Sequence, residues 1–364
     1  MYDALIVGAG PAGSLTAMLL GKRFDVLVAE EHQIAGYPVQ CAGLISDVCY
    51  DTYRRYCRIN RAVENEIDGA FFFSPSGNYI EAIGKAWVIE RKVLDPMLLE
   101  KASEMADVEV KAKVRFKDGR AYAGCREVKA NRIVGADGIS SVVAAEFGFR
   151  RPELFLTVQA EMKFEPLDEH FVELYFGRRW SDFFAYSIPL GDTARIGVIC
   201  SSDPLSYFKN LVERHPALSD RVSGSVIEWN VGAIPSHLVE FVKGEVALIG
   251  DAAGMVKPYT GGGLYYLLRA AEELSETFPN FQKYRELYMR EFGREHSFGS
   301  KIRRLYSMKD EDLDRLFAIM HDFDFPGVHM DRPTSLMGLR SFVKVLWKLL
   351  KDPKMVLKVA KQLI

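Results

Sequence analysis

Residues 3–7 are an apolar run that ends directly on Gly8-Ala9-Gly10-Pro11-Ala12-Gly13, and residues 14–22 continue with helical character. A second apolar run, 25–29, closes on Glu30. Strand, glycine turn, helix, strand and acid in that order constrain the chain to a βαβ dinucleotide-binding unit. Gly8 permits the tight turn. Gly10 has no Cβ, so backbone can approach a pyrophosphate, and Gly13 lets the helix pack on the strand. Ala12 lies on the first helical turn, whose unpaired N–H groups and partial positive charge favour phosphate. Glu30 stands where a carboxylate accepts from ribose hydroxyls and disfavours a 2′-phosphate. NAD remains possible on this fragment alone.

Two later fragments bear on the ligand. Gly135-Ala136-Asp137-Gly138 follows an apolar run and ends a second strand on an acid, although Asp137 reads equally well as a plain Asp-Gly turn. Residues 246–249 form a short buried strand, and Asp251 in Gly250-Asp251-Ala252-Ala253-Gly254 stands at its carboxyl end, where open α/β sheets contact ligands. An acid there can hold a ribityl hydroxyl, a group that nicotinamide cofactors lack, so FAD becomes the expected cofactor. Pro258-Tyr259-Thr260-Gly261-Gly262-Gly263 then leads into a helix from Leu264 to about residue 276. Its glycines let backbone N–H groups approach a planar ring. Its helix start would stabilise negative charge on reduced flavin.

The order and spacing of the three fragments resemble the p-hydroxybenzoate-hydroxylase-fold flavoproteins, and within them the geranylgeranyl reductase family. Gly36-Tyr37-Pro38-Val39-Gln40-Cys41-Ala42 is similar to a family segment with Pro followed by a Cys near the flavin. Arg91 with Asp95 resembles an Arg-x-x-x-Asp helix start. Residues 184–189 fall where the family carries Tyr-x-Trp-x-Phe-Pro, but Phe184, Tyr186 and Ile188 replace the aromatics and only Pro189 is kept. The resemblance spans residues 1–300. It implies flavin contacts at Ala12, Glu30, Cys41, Ala42, Arg91, Asp251, Gly263 and Leu264, with Val114 near the adenine. Gly8, Gly10, Gly13, Asp137, Pro258 and Gly262 join them from the fragments themselves.

The implied fold is α/β (α+β). A Rossmann-like FAD-binding lobe is expected from 1–68, 91–150 and 241–300. An inserted antiparallel β-sheet substrate lobe takes 69–90 and 151–240, and 301–364 forms a helical C-terminus. The insertions carry many aromatics, among them Phe71, Phe72, Phe73, Trp87, Tyr175, Phe176, Phe183, Phe184 and Tyr186. Alternate positions must share a face, so these residues divide between sheet core and an apolar pocket. The implied activity is FAD-dependent saturation of prenyl (geranylgeranyl) double bonds in membrane-lipid precursors. Nothing polarises an isolated alkene, so the site needs an apolar slot, a proton source and little water. Cys41, Tyr186 and Tyr259, or a water they hold, are the candidate proton sources. A flavin-dependent aromatic monooxygenase of the same fold is the alternative, and a flavin-containing lipid carrier without turnover is a third reading. Only one dinucleotide fingerprint is present, so the electron donor, NAD(P)H or a reduced protein carrier, is expected to dock transiently.

The 364 residues carry a net charge of −2, which implies no bulk attraction to nucleic acid. Five cysteines at irregular spacings suggest neither a disulfide framework nor a zinc site, and the scattered histidines suggest no metal. No leader pattern precedes the first strand and no run of 18 apolar residues occurs, so a cytoplasmic location is expected. Residues 340–364 nevertheless hold Arg340, Lys344, Lys348, Lys351, Lys354, Lys358 and Lys361 against the single acid Asp352. On a helix the lysines fall within roughly 140° of arc, with Phe342, Val343, Leu346, Trp347 and other apolar residues on the remainder. Such a helix either packs its apolar side on the body or contacts a membrane surface peripherally.

Overall fold

The computed structural model describes residues 1–39, 41–321, 330–338 and 348–363. The chain begins with β1 (Tyr2–Val7), α1 (Pro11–Leu20), β2 (Val26–Ala29), β3 (Leu44–Ser46), α2 (Asp47–Tyr53), β4 (Val63–Phe73) and β5 (Tyr79–Ile89). Next come α3 (Arg91–Ser103), β6 (Asp107–Glu109), β7 (Val114–Lys117), β8 (Arg120–Ala123), β9 (Arg126–Val128), β10 (Ala130–Gly135) and α4 (Val142–Glu146). Then follow β11 (Leu154–Phe164), β12 (Phe171–Tyr175), β13 (Phe184–Pro189), β14 (Thr193–Cys200), α5 (Pro204–Arg214) and β15 (Val222–Pro235). The chain continues through β16 (Val242–Lys243), β17 (Val246–Leu248), α6 (Leu264–Thr277), α7 (Phe281–Tyr306), α8 (Asp310–Met320) and α9 (Pro353–Leu363).

One sheet has the order β16-β17-β10-β1-β2-β6. From β17 to β6 its strands run parallel, and β16 closes the edge as an antiparallel partner. Strands covered on both faces need continuous apolar sequence. Val26–Ala29 is accordingly buried throughout, as is Val246–Leu248. The order places the carboxyl ends of β1, β2, β10 and β17 along one edge. All three glycine-bearing fragments therefore arrive together although they lie far apart in sequence.

The second sheet has eight strands in the order β15-β11-β14-β13-β12-β4-β5-β3, with β12 and β4 parallel and the other pairs antiparallel. It begins earlier in the chain than residue 69, since β3 and the first half of β4 both belong to it. Glu64, Glu66 and Asp68 are exposed in alternation, so that stretch lacks the apolar run by which a strand is read from sequence. Residues 79–89 form the single long strand β5, with Gly84 inside it. Strands β7, β8 and β9 make a separate small sheet.

Strand parity sorts the aromatics of the large sheet. Phe71, Phe73 and Tyr175 join the face packed with Phe208 and Leu211 of α5. Phe72, Phe176, Phe184 and Tyr186 belong to the opposite face, packed against Tyr306, Phe317, Met320 and Met330. Trp87 instead stacks on Tyr50 of α2, ring centroids 4.1 Å apart.

At the C-terminus, Asp352 accepts from the Met355 N–H at 3.2 Å and Pro353 opens α9. Met355 and Leu349 pack on Met308, Leu313 and Leu316. Leu350 and Leu357 are exposed, as are Lys351, Lys354, Lys358 and Lys361. Arg340, Phe342, Val343, Lys344, Leu346 and Trp347 of the basic tail lie outside the described residues. Among the described residues no helix is long and apolar enough to cross a membrane.

The tightest backbone approach lies in the first turn. Gly8 has φ +94°, and a Cβ on Gly13 would stand 1.9 Å from the Gly8 carbonyl oxygen. A methyl there must push α1 off the turn, an overpacking cost of about 1–3 kcal/mol. Gly13→Ala is expected to lower the urea midpoint accordingly. Gly84→Ala, with no atom within 4 Å of the added Cβ, should stay within about 0.5 kcal/mol of the parent. Equal midpoints for the two variants would remove the packing argument.

Candidate functional site

The first fragment builds one end of the site. Gly10 caps α1 in extended conformation with no side-chain partner, and nothing lies within 4 Å of where its Cβ would be. Pro11 has no N–H and the Ser14 N–H donates to the Gly10 carbonyl at 2.9 Å, which leaves Ala12 and Gly13 to carry the N–H groups of the first turn. Glu30, 7% exposed, ends β2 beside this turn. Its Oε2 accepts from the Ala9 N–H at 2.7 Å and its Oε1 from the His32 N–H at 2.8 Å. Glu30 thus braces the glycine turn. The His32 ring Nδ1 also lies 3.0 Å from Oε1, and of the carboxylate's about four acceptor positions one is left for a ribose hydroxyl.

Val114 is buried in the main apolar core, while nearby Ala112 donates its N–H to the Glu30 carbonyl at 2.8 Å. Asp137 sits at the start of α4. Its Oδ1 accepts from the Ser141 hydroxyl at 2.6 Å, and its Oδ2 from the N–H groups of Val142 at 2.7 Å and Val143 at 3.2 Å. The carboxylate caps the start of α4, the use to which a strand-end acid is put when a helix begins a few residues later.

The last fragment meets the first. A Cβ on Gly250 would stand 3.0 Å from the Ala12 Cβ. Asp251 follows, and no hydrogen bond to its carboxylate comes from another described residue. Burial pushes its carboxyl pKa up, and the Arg91 guanidinium nearby pulls it back. Arg91 is held by Asp95 through Nε–Oδ1 and Nη2–Oδ2 contacts, both 2.6 Å, and also lies in electrostatic reach of Cys41. The glycine loop closes on itself, with the Lys257 N–H donating to the Gly262 carbonyl at 3.0 Å and the Gly261 N–H to the Lys257 carbonyl at 2.8 Å. Gly263 caps α6 without a side-chain bond, and its Cβ position is 3.5 Å from Asp251 Oδ1. The Leu264 carbonyl accepts from the Tyr53 hydroxyl at 3.2 Å.

Cys41 lines a cavity of about 10 Å³ together with Glu90, Gln159, Glu161, Arg195 and Asn230, among others. This is room for about one water. The Tyr186 hydroxyl donates to Gln159 Oε1 at 2.9 Å, and burial pushes its pKa above the usual tyrosine range. Tyr186 fits because Gly197 opposes it on β14, where a Cβ would stand 2.4 Å from its ring. Arg195, buried, pairs through Nη2 with Glu64 at 2.6 Å and Glu90 at 3.0 Å, and through Nη1 donates to the Ala42 carbonyl at 3.2 Å.

The surroundings of Cys41 are thus polar, not the apolar pocket expected. The apolar face of the large sheet lies beside them and is covered by Tyr306 and Phe317. Tyr259 does not join this group. Its hydroxyl donates to the Met330 carbonyl, and the loop turns Tyr259 and Pro258 against Gly299 of α7. Gln159 and Arg195 escaped the sequence reading. Gln159 alternates with Thr157, Glu161 and Lys163 on β11 and so does not stand out, whereas Arg195 is the one charged residue of β14.

The open phosphate turn, the strand-end acid beside Arg91 and the glycine loop fit an extended flavin dinucleotide. No protein-family model matches the chain. In fold it is similar to a geranylgeranyl bacteriochlorophyll reductase-like protein from Thermoplasma acidophilum, with a TM-score of 0.82 at 23% identity over 100% of this chain and 99% of that one. A variant of the halogenase PltM in complex with FAD shares the fold with a TM-score of 0.64 at 16% identity, covering 88% of this chain and 79% of its own. Digeranylgeranylglycerophospholipid reductase 2 of Methanopyrus kandleri is 30% identical across 100% of this chain and 99% of that protein. An identity of this level sustained from end to end means that the chain belongs to the digeranylgeranylglycerophospholipid reductase family.

Proposed function

We propose that the protein binds FAD and saturates isolated carbon–carbon double bonds in the prenyl chains of membrane-lipid precursors. The observation that carries this reading is Asp251, an acid at a parallel strand end whose carboxylate has no hydrogen-bond partner among the described residues, flanked by Arg91 and facing the glycine loop. Ala12, Glu30, Ala42, Gly262, Gly263 and Leu264 complete the proposed contacts. Bound FAD supplies hydride from its reduced ring. The prenyl chain lies along the face formed by Phe72, Phe176 and Phe184, and Tyr306 and Phe317 must give way to admit it.

Alkene reduction also needs a proton. Tyr186 is a poor acid, since burial favours its neutral form. Cys41 and a water in the adjoining cavity are the better sources, with Gln159 and Arg195 positioning that water. The reductant, NAD(P)H or a reduced protein carrier, docks transiently. Peripheral membrane contact is made by the C-terminal segment through exposed Leu350 and, on α9, Leu357, among the lysines.

Anaerobic incubation of the reduced holoprotein with a geranylgeranyl lipid should add pairs of hydrogens, read by mass. Unchanged lipid accompanied by steady peroxide would reject the reductase reading. Cys41→Ser is expected to keep FAD and slow lipid reduction about a hundredfold, in the range for loss of a positioned proton donor; a rate equal to wild type would exclude the thiol. Asp251→Ala should weaken FAD about tenfold or more, as expected for loss of hydrogen bonds to a charged group, with unchanged affinity the contrary result. The full chain should co-sediment with anionic vesicles, and Leu350→Asp with Leu357→Asp should abolish it. Sedimentation unaffected by that pair would place the membrane contact elsewhere.

A further inference from the structure

Among the described residues after α8, Asp331 brings a buried carboxylate to the interior. Asp331 is 1% exposed, and its partner Lys257 is 4% exposed. Lys257 Nζ lies 2.7 Å from Asp331 Oδ1. The other oxygen, Oδ2, accepts from the Ser46 hydroxyl. Each of these contacts lands on a loop already placed at the ring end of the site. Ser46 ends β3, just beyond Cys41 and Ala42, and its hydroxyl also caps α2 by accepting from the Cys49 N–H at 2.9 Å. Lys257 carries the backbone bonds that close the glycine loop, and its side chain lies across Gly262, whose Cβ position is 2.9 Å from Lys257 Cε.

Two tyrosines reinforce the connection. Tyr266 of α6 donates to the Asp331 carbonyl at 3.1 Å, and Tyr259 of the glycine loop donates to the Met330 carbonyl. The segment is anchored from its other side on α7, through Arg332 with Glu291 at 2.7 Å and the Thr334 N–H with Glu295 at 3.0 Å. A buried ion pair contributes little net stability, but its geometry is specific and loss of one partner leaves an uncompensated charge.

We propose that Asp331 is the clasp of the cofactor site. This rests on the flavin reading. One carboxylate holds the loop after Cys41 and the Pro258–Gly263 loop at a fixed separation, and Lys257 is a positioning residue that keeps the glycine loop in its binding shape. Residues 330–334 thereby become part of the cofactor site, far in sequence from every glycine fragment. The pair also sets the charge balance near the ring.

Asp331→Asn, Lys257→Met and Lys257→Arg in the full chain test this. The probes are FAD affinity by fluorescence quenching, the midpoint potential of bound flavin, and apoprotein melting. Asp331→Asn and Lys257→Met are each expected to weaken FAD about tenfold, and Lys257→Arg to restore affinity to within about threefold. The two losses should move the potential in opposite directions. A lysine relieved of Asp331 favours the anionic reduced ring and raises it; a carboxylate relieved of Lys257 lowers it. A merely structural pair would produce no such opposition. Should either variant fail to fold, Tyr266→Phe and Tyr259→Phe remove one bond each, and both should still weaken FAD. Affinities within threefold of a flavin-binding wild type, or potentials that shift together, would overturn the clasp alone. Wild-type protein that takes up no FAD would overturn the flavin reading and the clasp with it.

Discussion

The contact of Gly13 with the Gly8 carbonyl governs the architecture. No side chain can stand between α1 and the turn that precedes it, so the helix begins directly over the carboxyl end of β1. That placement sets the start of α1 at the sheet edge. Parallel pairing of β1 with β10, and of β10 with β17, then brings Gly250 against Ala12 and delivers Asp251 to the same edge. The site follows from strand order, and strand order depends on how closely backbone can approach backbone.

The large sheet supplies the other wall by dividing its residues between two faces. Phe73 and Tyr175 go to the α5 side; Phe184 and Tyr186 go to the side covered by Tyr306 of α7 and Phe317 of α8. The same alternation places Gln159 and Arg195 on the Tyr186 side. They share their rows with Gly197 and Ile188, so an apolar surface passes into a small polar one within two strands. An alkene reductase needs this juxtaposition, because hydride must arrive in an apolar setting while a proton comes from close by.

Much of the cofactor end was legible because each part is local. The Gly8–Gly13 turn, Glu30, Asp251 and the Gly261–Gly263 loop each announce themselves within a few residues of a strand end. The Asp-Gly turn at Asp137 looked alike in sequence, yet its carboxylate caps α4, because Ser141 and Val142 happen to fold back within its reach. Tyr259 lay in the right loop, but the turn closed by Lys257 and Gly262 directs it to Met330. Early β4 was missed because its charged, alternating residues lie on one exposed side of a strand and imitate a loop.

What the amino-acid order determined by itself is a βαβ start, a second acid-ended strand with a glycine loop, and enough alternating aromatics for a large sheet. Those are short-range properties, set by dihedral preference, the period of two in strands and the missing side chain of glycine. What only tertiary structure decided is which groups face one another: Arg195 with Glu64 and Glu90, Tyr186 with Gln159, Lys257 with Asp331. The last pair joins residues 74 positions apart. No local pattern encodes such a meeting, because it exists only after two independently stable segments have packed and water has been removed from between them.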